Sequence, residues 1–479
     1  MKKTKFNLFL IIILCLIFAI TGCSKKEESA DSSDKHTTNT TTDSGDKKTG
    51  ISTPGAVITD SSISIPESES AKTDGALEAI DGGFYSDDVL FDYATSGEAM
   101  LGEAKVAFDV KEYSATGDDF IDPETPYEPV EPVRPQVSAG TLTAGEWNDN
   151  KNFDFLKKLV SDGQNYDYTK FFTDWDLSPF SRLVINCVSN DTPVSGANVT
   201  VTDPQGNPIW KGVTDHEGKA YAYYALADAD MMPAAITAEY NGSKIEYSVT
   251  TDDLSDSSVI DMNFEDYSPK AKTLDLMFTI DTTGSMGDEI YYLQKELENV
   301  IKRVQADTSN IPTRLSVNFY RDHGDDYVVR PYEFSTDINT QLAYLSNEYA
   351  NGGGDFEEAV ELALESSVFD HSWDDDSIKL LFLVLDAPPH NTDTIKESLK
   401  NTISKASEMG IRIIPVASSG IDKNTEFLLR TFAMTTGGTY TFLTDHSGVG
   451  GSHIEPTIGD YDVEFLNDLL VRLIEEYIG

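Results

Sequence analysis

From residue 272 onward, apolar positions recur in two alternating rhythms. Residues 274–281 (Leu-Asp-Leu-Met-Phe-Thr-Ile-Asp), 380–385 and 411–416 are short apolar runs, the pattern of parallel strands buried on both faces. Between the first two runs, Ile290, Leu293, Leu297 and Ile301 repeat at helical spacing within residues 287–307. Residues 337–349, 356–369, 392–409 and 425–434 read as further helices, residues 440–443 as a strand and residues 463–477 as a last helix. Residues 315–321 and 328–334 flank a short acidic turn and read as a hairpin. Strands alternating with helices predict an α/β fold, a mostly parallel, doubly wound sheet with helices on both faces.

Upstream the rhythm changes. Residues 180–266 hold short strand-like runs punctuated by Gly and Asp, as in Val194 to Val201 and the turn Thr214-Asp215-His216-Glu217-Gly218-Lys219, which predicts a small antiparallel all-β sandwich. The order Pro-Val-Ser-Gly-Ala-Asn-Val-Thr-Val followed by Thr-Asp and Gly-Lys-Ala-Tyr resembles carboxypeptidase-regulatory-like or transthyretin-like modules, and the resemblance implies a structural spacer. Residues 137–179 are aromatic-rich and contain a helical patch at residues 147–159, with Phe153, Leu156 and Leu159 on one face. A free helix would expose that surface, so this segment is expected to pack on the sandwich that follows.

Residues 1–136 show no such periods. Lys2, Lys3 and Lys5 precede an apolar run from Leu8 to Ile20, shorter than the roughly 20 residues a spanning helix needs, and Thr21-Gly22-Cys23 follows. This is the layout of an export signal over residues 1–22. Its ending resembles the lipobox of bacterial lipoproteins, which implies lipidation at Cys23 and a chain anchored in the cell membrane on its extracytoplasmic face. The stretch to about residue 75 is Ser, Thr, Asp, Glu, Lys and Gly without aromatic residues, and Pro123, Pro126, Pro129, Pro132 and Pro135 recur every third position. Residues 23–136 therefore read as a disordered tether and an extended proline-rich spacer. Cys187 is the one cysteine beyond Cys15 and Cys23, so no disulfide framework forms in the mature chain. A formal net charge of −46 over 479 residues argues against nucleic acid and leaves divalent cations and cationic partners open.

The chemistry collects at the end of the first apolar run, where Asp281, Thr283 and Ser285 place a carboxylate and two hydroxyls at the carboxyl edge of a strand. Oxygen donors of this kind suit a hard cation. Residues 272–446, with residues 447–479 as a C-terminal extension, resemble a von Willebrand factor A domain. That resemblance implies a metal-ion-dependent adhesion site holding Mg2+, Mn2+ or Ca2+ through Asp281, Thr283, Ser285 and, from a third loop, Asp386. A second loop in that family often offers Thr, where this chain has Gly352-Gly353-Gly354-Asp355. Asp355 has two readings, a metal ligand or the cap of the helix after it. Tyr320-Arg321-Asp322-His323, the Gly-Gly-Gly-Asp loop and Asp386-Ala387-Pro388-Pro389-His390 together resemble the A domains of hemicentin-type and alpha-kinase-type proteins. Asp322, Asp325 and Asp326 either rim the site or form a solvated turn, and His323 and His390 carry no assignment. The resemblance implies a non-enzymatic module that binds a protein ligand through an acidic side chain. The alternatives are a metal-dependent hydrolase, for which no nucleophile and base spacing is present, and a structural envelope component with a vestigial metal site.

Overall fold

A computed structural model of the chain describes residues 137–162, 169–255, 258–308 and 310–479. The export signal, Cys23, the tether and the proline-rich spacer lie outside the described residues. Among those described, no helix is long and apolar enough to cross a membrane.

The first elements are strand β1 (Thr143–Trp147), helix α1 (Phe153–Asp162) and helix α2 (Thr169–Trp175). Here the structure departs from the expected single patch at residues 147–159. Trp147 ends a strand, and the helix starts only at Phe153, because Asn148 turns the chain by accepting from Lys151 N at 3.0 Å through its side chain. Nor does the segment pack mainly on the sandwich. Strand β1 joins the large sheet of the α/β domain, and Trp147, Phe171, Trp175 and Leu177 enter that domain's core. Gly145 permits the approach, since a Cβ there would stand 2.6 Å from the Phe442 ring. Toward the sandwich, Phe153 and Leu156 form a small cluster with Tyr223 and Met434, and Asn150 Oδ1 accepts from Tyr223 Oη at 2.5 Å and Arg182 Nη1 at 3.1 Å.

The sandwich comprises β2 (Arg182–Ser189), β3 (Thr192–Pro193), β4 (Asn198–Thr202), β5 (Pro208–Val213), β6 (Lys219–Tyr223), β7 (Ala235–Tyr240), β8 (Ser243–Ser248) and β9 (Val259–Asn263). These form two four-stranded sheets, β3-β2-β6 with β9 against β2, and β5-β4-β7-β8. Alternate residues of β2 turn inward, so Leu183, Ile185 and Cys187 meet Val199, Val201, Ile236 and Met262 in a common core. The sandwich is not wholly antiparallel, because β9 pairs with β2 in parallel. Burial pushes the free Cys187 thiol up to about 12, which leaves it unreactive.

The remaining elements are β10 (Leu274–Asp281), α3 (Ile290–Asp307), β11 (Thr313–Tyr320), β12 (Val329–Arg330), α4 (Ile338–Asn347), α5 (Val360–Phe369), β13 (Ile378–Leu385), α6 (Asp393–Met409), β14 (Ile411–Ala417), α7 (Lys423–Thr436), β15 (Tyr440–Leu443), β16 (Glu464–Phe465) and α8 (Leu466–Ile478). Strand β10 is buried along its whole length and pairs in parallel with β11 on one side and β13 on the other. The full order is β12-β11-β10-β13-β14-β15-β1-β16, with β12, β1 and β16 antiparallel to their neighbours. Leu276, Phe278 and Ile280 face a core shared with Leu293, Leu297, Leu345 and Leu469 of α3, α4 and α8. Met277 faces the opposite core, with Leu364, Ile403 and Leu428 of α5, α6 and α7. The sheet thus has helices on both faces and draws on residues on either side of 272–446. Because β11 and β13 leave β10 in opposite directions, the loops after these strands part at the carboxyl end of β10, where open α/β sheets place ligands.

Candidate metal centre

Asp281 is the last residue of β10 and is fully buried. Beyond it the chain stays extended at Thr283 and tightens into a short turn over Gly284–Asp288. Gly284 N donates to Gly352 O at 3.1 Å, which ties the first loop to the glycine loop. Asp281 Oδ1 accepts from Thr283 N at 2.8 Å and from Thr283 Oγ1 at 2.7 Å, and the Thr283 and Ser285 hydroxyls lie 3.1 Å apart. Ser285 in turn bonds the Asp386 carboxylate that follows β13. The structure therefore brings Asp281, Thr283, Ser285 and Asp386 into one cluster.

That cluster leaves buried acceptors over. Asp281 Oδ2, Asp386 Oδ1 and Glu358 Oε2 have no well-formed hydrogen bond, although the buried Tyr320 hydroxyl stands beside Asp281. Burial raises the Asp281 carboxyl above its ordinary range against the two Thr283 bonds, and burial followed by the Asp281 charge raises that of Asp386. For Glu358, burial and then the charges of Asp281, Asp322 and Asp386 push the carboxyl up to about 9. Among the described residues no lysine or arginine pairs with these three carboxylates. Arg321 is near and buried, but it donates to Thr282 O at 3.2 Å and Tyr349 O at 3.0 Å and sits 3.4 Å from Glu348. Buried carboxylates that repel one another and have no cationic side chain beside them are what a divalent cation satisfies. The oxygen-only donor set of Asp281, Thr283, Ser285 and Asp386 fits Mg2+, Mn2+ or Ca2+.

Glu358 was not among the residues singled out from sequence. It falls inside the stretch 356–369 that reads as one helix, whereas α5 begins at Val360. Residues 356–359 stay outside the helix because Glu358 N donates to Pro388 O at 2.9 Å and the residue bridges to Pro389. The same shift removes one reading of Asp355, because Ala359 occupies the cap position of α5.

Asp355 stands instead with Asp322 and His390, their ligand atoms all within 4.8 Å of one another. His390 Nε2 lies 2.9 Å from Asp322 Oδ1. Of the acidic turn, Asp325 Oδ2 accepts from Asp322 N at 3.1 Å and from Gly353 N at 2.9 Å, so it braces the glycine loop, while Asp326 is exposed. Gly352 and Gly353 have φ of 84° and 75°, and a Cβ on Gly352 would stand 2.4 Å from the Asp325 carboxylate. His323 Nε2 lies 3.3 Å from Glu361 Oε1.

A relative that is 25% identical over 134 residues is an ariadne-like RING finger protein of Acanthamoeba polyphaga mimivirus. The match takes in 27% of this chain and 13% of that protein. A family model that begins one residue into β10, the strand that carries Asp281, also matches: residues 275–454 match the von Willebrand factor A domain.

Proposed function

We propose that this chain is a membrane-anchored lipoprotein whose A domain binds a protein ligand through a divalent cation at Asp281, Thr283, Ser285 and Asp386. The observation that carries the reading is the group of buried, partnerless oxygens on Asp281, Asp386 and Glu358. Mg2+ keeps exchangeable positions when few protein groups hold it, so an ion here would accept a carboxylate from a partner. The chain's own residues position it: β10 and β13 deliver Asp281 and Asp386 on rigid strand ends, and the two hydroxyls are aligned by their bonds to those carboxylates. Phe356, exposed beside Asp355, gives an approaching segment an apolar contact next to its acidic group. Lipid on Cys23 and the tether of residues 23–136 would hold this face away from the membrane, and Cys23→Ala is expected to move the protein from the detergent to the aqueous phase on partition. The reading is one of binding, with no catalytic residue assigned. An array of Asp- or Glu-bearing peptides beside their Asn and Gln counterparts tests it with the full chain. Binding should require the carboxylate, vanish in chelator and vanish in Asp281→Ala; equal binding to the amide peptides, or binding indifferent to chelator, contradicts it.

A further inference from the structure

We propose that Asp322, Asp355 and His390 form a second cation site beside the oxygen-only centre, and that it takes a transition-metal ion of the Zn2+ class. Three loops meet there: the one after β11 brings Asp322, the glycine loop brings Asp355, and the one after β13 brings His390 past Pro388 and Pro389. Their ligand atoms all lie within 4.8 Å of one another. Asp322 is held in place from below, its backbone N–H donating to Asp325 Oδ2 at 3.1 Å. Asp325 is thereby engaged in bracing and stands apart from the ligand set. An imidazole with two carboxylates is a mixed nitrogen and oxygen set, which suits Zn2+, Mn2+ or Co2+ better than Mg2+ or Ca2+. Three protein ligands also leave a position open on the ion.

A second observation comes from α5. Glu361 is 3% exposed, and its Oε2 is buried without a partner. Its other oxygen lies 3.3 Å from His323 Nε2, and the His323 and His390 rings are 5.6 Å apart between centroids. A buried carboxylate with one partnerless oxygen thus stands beside His323, whose ring neighbours that of His390. Glu361 is placed to fix the His323 ring, which stands against that of His390. The 2.9 Å contact of His390 Nε2 with Asp322 Oδ1 is the pairing an ion would replace. Both atoms would then turn to the metal, and the imidazole nitrogen that binds it would release any proton it carries to solvent.

Co2+ is the probe, because its visible absorption reports nitrogen ligation. In millimolar Mg2+, which occupies the oxygen-only centre, the full chain is expected to take up one Co2+ with visible bands, and Asp281→Ala is expected to do the same. His390→Ala should weaken Co2+ binding by more than the roughly 10-fold minimum seen on losing a supporting residue. Asp355 is exposed, so Asp355→Asn leaves the fold intact and should weaken Co2+ binding in the same direction. Equal Co2+ affinity in wild type, His390→Ala and Asp355→Asn overturns the second site, as does the absence of Co2+ uptake in Mg2+. Neither result touches the oxygen-only centre, whose own failure would show as Mg2+ binding unaffected by Asp281→Ala.

Discussion

Asp149→Ala tests whether the segment before the sandwich is an integral part of the α/β domain. Arg430 of α7 donates to Asp149 through Nε at 2.9 Å and Nη2 at 2.6 Å, and both side chains are almost wholly buried. Trp147 Nε1 donates to the same carboxylate at 3.1 Å, so one side chain joins β1, the turn after it and α7. Removing one partner of a buried pair costs about 3–5 kcal/mol, because the other charge is left uncompensated. Here Arg430 keeps Thr457 O at 2.8 Å and Glu426 Oε1 at 3.5 Å, which places the loss near the lower bound, while the orphaned Trp147 N–H adds about 1 kcal/mol. The sum is about 4 kcal/mol. With a urea slope of about 3 kcal/mol/M, the midpoint of unfolding should fall by somewhat more than about 1 M. The double variant Asp149→Leu with Arg430→Met should lose distinctly less, since it buries no lone charge. A single-variant loss under about 1 kcal/mol, or a double variant no better than the single, refutes this account of the interface.

Three further outcomes follow from the site. Glu358 is raised from its ordinary 4.5 to about 9, so the folded protein without metal binds more protons than the unfolded chain between those values; its stability should fall as pH rises through that window, and less so in Glu358→Gln, as measured by urea unfolding in chelator across pH. For the same reason cation binding at neutral pH should release protons, read as a calorimetric heat that changes with the ionisation enthalpy of the buffer. Gly352→Ala places a Cβ against the Asp325 carboxylate at a positive φ, and it should weaken Mg2+ binding while shifting stability by about 1–3 kcal/mol.

The central strands were legible because β10, β13 and β14 are buried on both faces and therefore read as apolar runs, and the helices between them because their core-facing positions recur at helical spacing. Strand β1 was not. Its five residues, Thr-Ala-Gly-Glu-Trp, carry little β signal of their own, and their place is set by pairing with residues 440–443 at the other end of the domain. Asp281, Thr283 and Ser285 could be read together because they lie within one turn of chain, and Asp386 because it ends a second apolar run. Glu358 could not, since only its long-range pairing with the 388–389 segment takes it out of the helix and turns it into the site. Asp355 shows the opposite difficulty: its neighbours in space, Asp322 and His390, come from loops that local sequence leaves unconnected. The Gly-Gly-Gly run announced a loop there, but the bracing by Asp325 that shapes it comes from a loop far away in the chain.

On this reading the carboxyl end of β10 is a cation site built on Asp281. Calorimetric titration of Mg2+ into the full chain, wild type beside Asp281→Ala, decides it. A saturable heat corresponding to a single Mg2+ is expected in the wild type and none in Asp281→Ala, with both proteins showing the same far-ultraviolet circular dichroism. Absence of binding at millimolar Mg2+ in the wild type, or an isotherm unchanged by Asp281→Ala, would contradict it.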